Sequence, residues 1–250
     1  MPEALSVALA TPGLIWLLLT IGAAGIVRGF TGFGTALIFV PVAGQFLPAE
    51  EVVLIITVTG IASAGALLPR AIRQADHKEV LPMGVAAMVT IPLGIYLMTQ
   101  LDALTVRWAV AAIALITLLT LITGWRYHQK VRLLGLLLIG GAAGIVGGMT
   151  GLTGPVVIMF YLASTAQAQT VRANTIIFLA ILDVWITISL FIGGLTDWST
   201  VWVGLILCVP YFITSLIGQA LFDPRYERVY RLSAYAVIAV AVVSGIPLFD

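Results

Sequence analysis

The sequence predicts an all-α polytopic membrane protein made of two inverted repeats, each a re-entrant helical hairpin followed by three transmembrane helices. Three observations predict it: long apolar runs without charge, a glycine-rich element that recurs halfway along the chain, and the placement of basic residues in the loops.

The apolar runs come first. Of the 250 residues, 61% are hydrophobic and 9% charged, against about 25% charged in a soluble domain. Residues 4–27, 29–49, 52–69, 80–101, 108–125, 133–171, 198–222 and 232–249 carry no charge, and about 20 apolar residues cross the hydrocarbon core. Ordinary spans are expected at 51–68, 80–99, 104–124, 172–193, 199–221 and 229–246, divided by turn and charge signals such as Pro69-Arg70, Asp102 and Asp223-Pro224. No basic residue precedes the first apolar run, so no cleaved signal is expected.

Several function classes are disfavoured. Cys208 is the single cysteine, and His77 and His128 lie in different loops, which gives no metal cluster and no disulfide. There is no GxxxxGK[ST] phosphate loop, no HExxH and no Ser/His/Asp arrangement. Neither an enzyme nor a nucleic-acid binder is expected, and no cofactor is called for.

The repeat is short and specific. GIVRGFTG at 25–32 matches GIVGGMTG at 144–151, an offset of 119 with six of eight positions identical. A weaker match at an offset of 124 pairs Leu93-Gly94 with Ile217-Gly218 and Arg107 with Arg231. The chain thus divides at about 125, with residues 1–125 and 126–250 as its two halves.

In each half the element lies within an apolar stretch of awkward length, 14–46 and 133–165. As one helix each would reach about 50 Å, too long for a core of about 30 Å, and as two full spans each is too short. A hairpin that turns at the glycines and leaves on the side it entered fits, provided protein or a wet cavity covers the turn. The loop charges favour this over a single crossing. With 133–165 re-entrant, Arg70, Arg73 and Lys78, then Arg126, Lys130 and Arg132, and then Arg172, Arg225, Arg228 and Arg231 all face the cytoplasm, while Asp197 faces out. Both termini then lie in the periplasm, and the two hairpins enter from opposite sides, as in secondary transporters with inverted repeats.

A helix that starts at membrane depth leaves N–H groups unpaired and points its positive end at the turn, which favours an anion. Such starts are expected near Thr31–Ala36 and Thr150–Val156, where Pro155 suits a first helical turn. Arg28, Thr31, Gly32, Gly34 and Thr35 from the first tip, and Thr150, Gly151, Thr153 and Gly154 from the second, are the candidate substrate-binding residues. The competing reading is that Gly25-xxx-Gly29 and Gly144-xxx-Gly148 only pack helices. Arg28 stands where the second copy has Gly147. An arginine at that depth is costly unless paired or wet, so it either binds the anion or pairs with Asp183. Asp183, the one acid deep in a span, is the candidate for that pair or for proton coupling. Asn174, Gln219, Tyr161 and Tyr211 are weaker lining candidates, and Arg107 and Arg172 sit at span ends, where long side chains reach the head groups.

The two glycine elements carry a resemblance. GIVRGFTGFGTALIFVP at 25–41 and GIVGGMTGLTGPVVIMF at 144–160 resemble the two motifs of the TauE/SafE family of membrane permeases, and chain length and layout agree with it. The resemblance implies a multi-pass permease of the bacterial inner membrane that moves sulfite or small organosulfonates such as sulfoacetate, often outward. Arg28, Thr35 and Thr153 depart from the small residues usual in the motifs, which favours a specific anion site. The leading expectation is a secondary transporter working by alternating access, with the lipid bilayer and a small anion as partners; protons as coupling ion and a homo-oligomer are compatible with it. The rivals are an anion channel whose filter is the same tips, and an uptake permease for a sulfonate or other small anion.

Overall fold

The computed structural model describes residues 6, 8–31, 34–123, 131–162, 168–221 and 227–247. Among the described residues there are ten helices. The first half contributes α1 (Leu14–Thr31), α2 (Thr35–Ala43), α3 (Ala49–Gln74), α4 (His77–Gln100) and α5 (Ala103–Thr123). The second contributes α6 (Leu133–Thr150), α7 (Pro155–Leu162), α8 (Ala168–Ile192), α9 (Trp198–Leu221) and α10 (Glu227–Gly245). Among the described residues, α4, α5, α6, most of α8 and all of α9 are long and apolar enough to cross a bilayer, and α3 is a sixth if its two segments count as one span.

Local chemistry explains the breaks. Pro69 lacks an N–H and its ring crowds the carbonyl of Gly65, and α3 bends by 72° between Ala49–Gly65 and Leu68–Gln74. Asp76 caps α4 by accepting from the Lys78 N–H at 2.9 Å. Asp197 caps α9 by accepting from the N–H groups of Ser199 and Thr200 at 3.0 and 3.1 Å.

The stretch 14–46 is two helices, α1 and α2, and 133–165 carries α6 and α7. The arms are unequal: 18 then 9 residues in the first, 18 then 8 in the second. An 18-residue arm is about 27 Å long, close to the thickness of the core itself. The second arms begin within the expected stretches, toward their ends. Thr31 and Thr150 end α1 and α6, and the new helices open at Thr35 and Pro155. Gly151 causes the stop after α6: at φ 72° it donates its N–H back to Gly147 O at 2.8 Å, a left-handed cap that closes the helix.

Packing crosses between the halves. α1 lies along α9, and α6 along α4. A β-carbon on Gly29 would strike Ser215 O and stand 2.7 Å from Gly218 Cα, and one on Gly148 would stand 2.6 Å from Ile91 O and 3.3 Å from Gly94 Cα. Gly25 is similarly pressed on Tyr211 O and Thr214, and Gly144 on Ala87 and Thr90. These four glycines therefore serve close helix approach. Gly94 and Gly218, the pair from the weaker sequence match, occupy matching places as their partners. In lipid such contact replaces the hydrophobic drive, and polar bonds such as Thr90 Oγ1 to Gly141 O, 2.8 Å, add about 0.6 kcal/mol each.

Two buried cores result. One joins Leu17 and Ile21 of α1 and Phe39 of α2 to Leu207 of α9 and Ile238 of α10. The other joins Met83 and Ile91 of α4 and Leu136 of α6 to Phe178 and Leu182 of α8. α3 contributes to both, with Val52 and Ile55 in the first and Val53 and Leu54 in the second. The outer faces are apolar: Val89 is 74% and Val240 69% exposed, which suits lipid and not water.

Candidate functional site

The two second arms, α2 and α7, open onto one cavity. Gly34, Thr35 and Ala36 from the first tip and Thr153, Gly154 and Pro155 from the second line it. It encloses about 660 Å³ of atom-free space, a volume that includes the open solvent at its mouth. Gly34 takes φ 100°, a left-handed conformation that a side chain would strain, and no side chain caps α2. The ladder of α2 begins with Ile38 N–H to Gly34 O at 3.2 Å, so the N–H groups of Thr35, Ala36 and Leu37 precede it at the cavity wall. In α7 the ladder begins with Ile158 N–H to Gly154 O at 2.8 Å, and Pro155 has no N–H to orphan.

Arg28 reaches this cavity from the last turn of α1, and Asp183 from the middle of α8. Asp183 is 7% exposed, and the field of Arg28 acts on its carboxylate. Opposite, the Tyr211 hydroxyl of α9 is bonded to Thr35 Oγ1 at 3.2 Å, which ties the first tip to the second half. Apolar groups including Ile56, Ile158, Ile176 and Leu179 complete the walls.

Of the residues expected from the sequence, Arg28, Gly34, Thr35, Thr153, Gly154 and Asp183 therefore come together, with Tyr211 from the weaker candidates. Thr150 and Gly151 do not join them. Thr150 donates to Val146 O at 2.7 Å and accepts from Leu152 N–H at 3.2 Å, and Gly151 is the cap of α6. Gly32 lies outside the described residues, as do Arg126, Lys130 and Arg225, and of Thr31 the backbone alone is described. Asn174 is buried away from the cavity. It accepts from Asp76 N–H at 2.7 Å and donates to Glu79 at 3.2 Å, binding α8 to the start of α4.

Two residues of the site were missed, Thr59 and Gly60 of α3. A β-carbon at Gly60 would collide with Asp183 Oδ2 and stand 2.8 Å from its Cγ, so the glycine makes room for the carboxylate. No signal in the sequence marked them, since neither repeat offset pairs Gly60 with Asp183.

A second cavity continues along α2 and α3. Its lining includes Val40 of α2 and Gly44 just after it, Val52 of α3, Arg107 of α5 and Thr150. On α2 the first cavity takes 34–37 and the second 40, 41 and 44; on α3 the second takes 49 and 52 and the first 56, 59, 60 and 64. Along the chain, fully buried Ile55 and Leu152 fall between residues of the two lining sets.

Helices of membrane-crossing length and apolar outer faces around a cavity that holds Arg28 and Asp183 define a multi-pass α-helical membrane protein. The model of the sulfite exporter TauE/SafE family matches residues 17–245, and the chain belongs to that family. Membership makes it a membrane transporter of sulfite or related sulfur compounds, in a family of transporters and not enzymes. No curated protein and no solved structure matches the chain.

Proposed function

We propose that the chain is a secondary transporter that exports a small sulfur oxyanion, sulfite or a short organosulfonate, held at the two tips beside Arg28. The observation that carries this reading is the convergence of Arg28, the free start of α2 and the hydroxyls of Thr35 and Thr153 on one cavity. Tetrahedral and pyramidal oxyanions suit such donors, because each oxygen accepts from an N–H, an O–H or a guanidinium.

Alternating access is supported by the two cavities in series. On the topology that the loop charges favour, the cavity with Arg28 opens to the cytoplasm and that with Arg107 to the periplasm. The conformation is then inward-facing, closed by the layer around Leu152. The cross-packing of α1 on α9 and α6 on α4 suggests moving units drawn from both halves, in the manner of opposed inverted repeats. An anion channel is disfavoured by the same closed layer.

Proteoliposomes loaded with labelled sulfite test the reading. Saturable flux at carrier rates, with counterflow driven by unlabelled anion, is expected. Ohmic anion currents without saturation would assign a channel instead, and absence of flux for sulfite and all short sulfonates would overturn the proposal.

A further inference from the structure

The Asp183 side chain is out of place in a plain anion site. It is more than nine-tenths buried, it lines the cavity, and among the described residues no hydrogen bond reaches its carboxylate oxygens. Its main chain is well used, since Thr187 donates to Asp183 O at 2.8 Å and Thr187 also bonds Thr57 at 2.9 Å, which fixes α8 against α3 at this level. The acid is thus held firmly while its two oxygens remain open on the ligand space. A buried carboxylate without donors loses its hydration and gains little in return.

The surroundings say what would complete it. Across the carboxylate lie Gly60 and Thr59 of α3. The Thr59 hydroxyl is already committed to Ile55 O and Ile56 O, at 2.9 and 2.8 Å, so it offers no donor. Ile176, Leu179 and Ala180 of α8 add only apolar surface, as do Ile56 and Ala64 of α3. The missing group is a donor, and an ionised one makes the stronger bond to a carboxylate. The oxyanion end of the ligand has its own partners at Arg28, Thr35 and Thr153. Beside an ionised Asp183 a bare anion would add a second negative charge, whereas a zwitterion matches Arg28 and Asp183 one to one.

We infer that the ligand of this cavity is a short zwitterion, a sulfonate carrying an ammonium group a few bonds away, with the sulfonate at Arg28 and the tips and the ammonium on Asp183. The inference rests on the transport reading above and narrows its substrate class. Apolar walls between the two charged ends suit the methylene linker.

The test uses the purified full chain and two ligands of nearly the same shape, 2-aminoethanesulfonate and 2-hydroxyethanesulfonate, with sulfite as the reference anion. Affinities are read by thermal shift and by competition against labelled ligand at pH 7. The aminosulfonate is expected to bind at least about tenfold tighter than the hydroxysulfonate, the difference between a charge-assisted and a neutral hydrogen bond. In Asp183→Asn that ratio is expected to collapse to near unity. A ratio near one in the wild type, or an unchanged ratio in Asp183→Asn, overturns the inference and leaves the transport reading standing if sulfite binds. Failure of all three ligands overturns the transport reading itself. Should Asp183→Asn not fold, the one- and three-carbon amino- and hydroxysulfonates on the wild type decide: no ammonium advantage at any length refutes the assignment.

Discussion

The Asp183 carboxylate lies against the Cα of Gly60, in the volume that a β-carbon would fill. One residue thus sets the position of the one acid among the described residues of the cavity, from a different helix and a different half of the chain. Gly60→Ala must therefore turn the carboxylate away or part α3 from α8, at a cost of about 1–3 kcal/mol. Transport is expected to fall by about tenfold or more, the equivalent of about 1.4 kcal/mol. Gly65→Ala, one turn on and with nothing within 4 Å of an added β-carbon, serves as the steric control. Equal transport by the two variants would contradict the role of Gly60.

The glycine crossings make a second prediction. Gly218→Val drives its β-carbon into Ile26 O and to 3.0 Å from Gly29 Cα, and Gly94→Val does the same at Ile145 O and, at 3.1 Å, Gly148 Cα. Backbone atoms cannot rotate aside, so each variant is expected to lower the melting temperature sharply and to broaden the size-exclusion profile in detergent. Wild-type melting in either variant would argue against the crossings as the main contacts between halves.

Tyr211→Phe removes the hydroxyl bonded to Thr35 at 3.2 Å. The unliganded protein is expected to lose about 0.5–1.5 kcal/mol. Anion affinity should fall as well, because the first tip loses its tether. A double variant with Thr35→Val should lose little more than either alone, and additive losses would show that the two hydroxyls act separately.

Asp197 gives a prediction in pH. The Ser199 hydroxyl, then the backbone N–H of Thr200, holds its carboxyl below the usual aspartate value. A depressed folded-state value means the cap contributes above the unfolded value, ordinarily near 3.9, and is lost as pH falls through the folded one. Asp197→Ala should cost about 1 kcal/mol at pH 7 and markedly less at an acid pH below the depressed folded-state value, measured by melting across that range. The same loss at both pH values would assign the effect to packing.

Much of the fold was legible because membrane spans announce themselves by length and because the Gly-Thr-Gly element appears twice. The cavity was legible in part for the same reason, since Arg28, Thr35 and Thr153 sit on or beside that element. The register of the tips was not. Thr150-Gly151 reads alike whether it opens a helix or closes one, and only the left-handed Gly151 decides that it closes α6. Gly60 escaped notice because a glycine in an apolar span carries no chemistry of its own; its meaning depends on Asp183, 123 residues later. The pairing of α1 with α9 and α6 with α4 is a long-range fact, and the weak match of Gly94 with Gly218 was its one trace in the sequence.

The central claim is that Arg28 and the two tips hold the anion. Equilibrium binding of labelled sulfite to the purified protein tests it most directly, comparing wild type with Arg28→Gln and Thr153→Val. The account predicts saturable binding in the wild type, loss of about tenfold or more for Arg28→Gln and a smaller loss for Thr153→Val, as befits removal of a charged against a neutral hydrogen bond. Wild-type affinity in Arg28→Gln would contradict it.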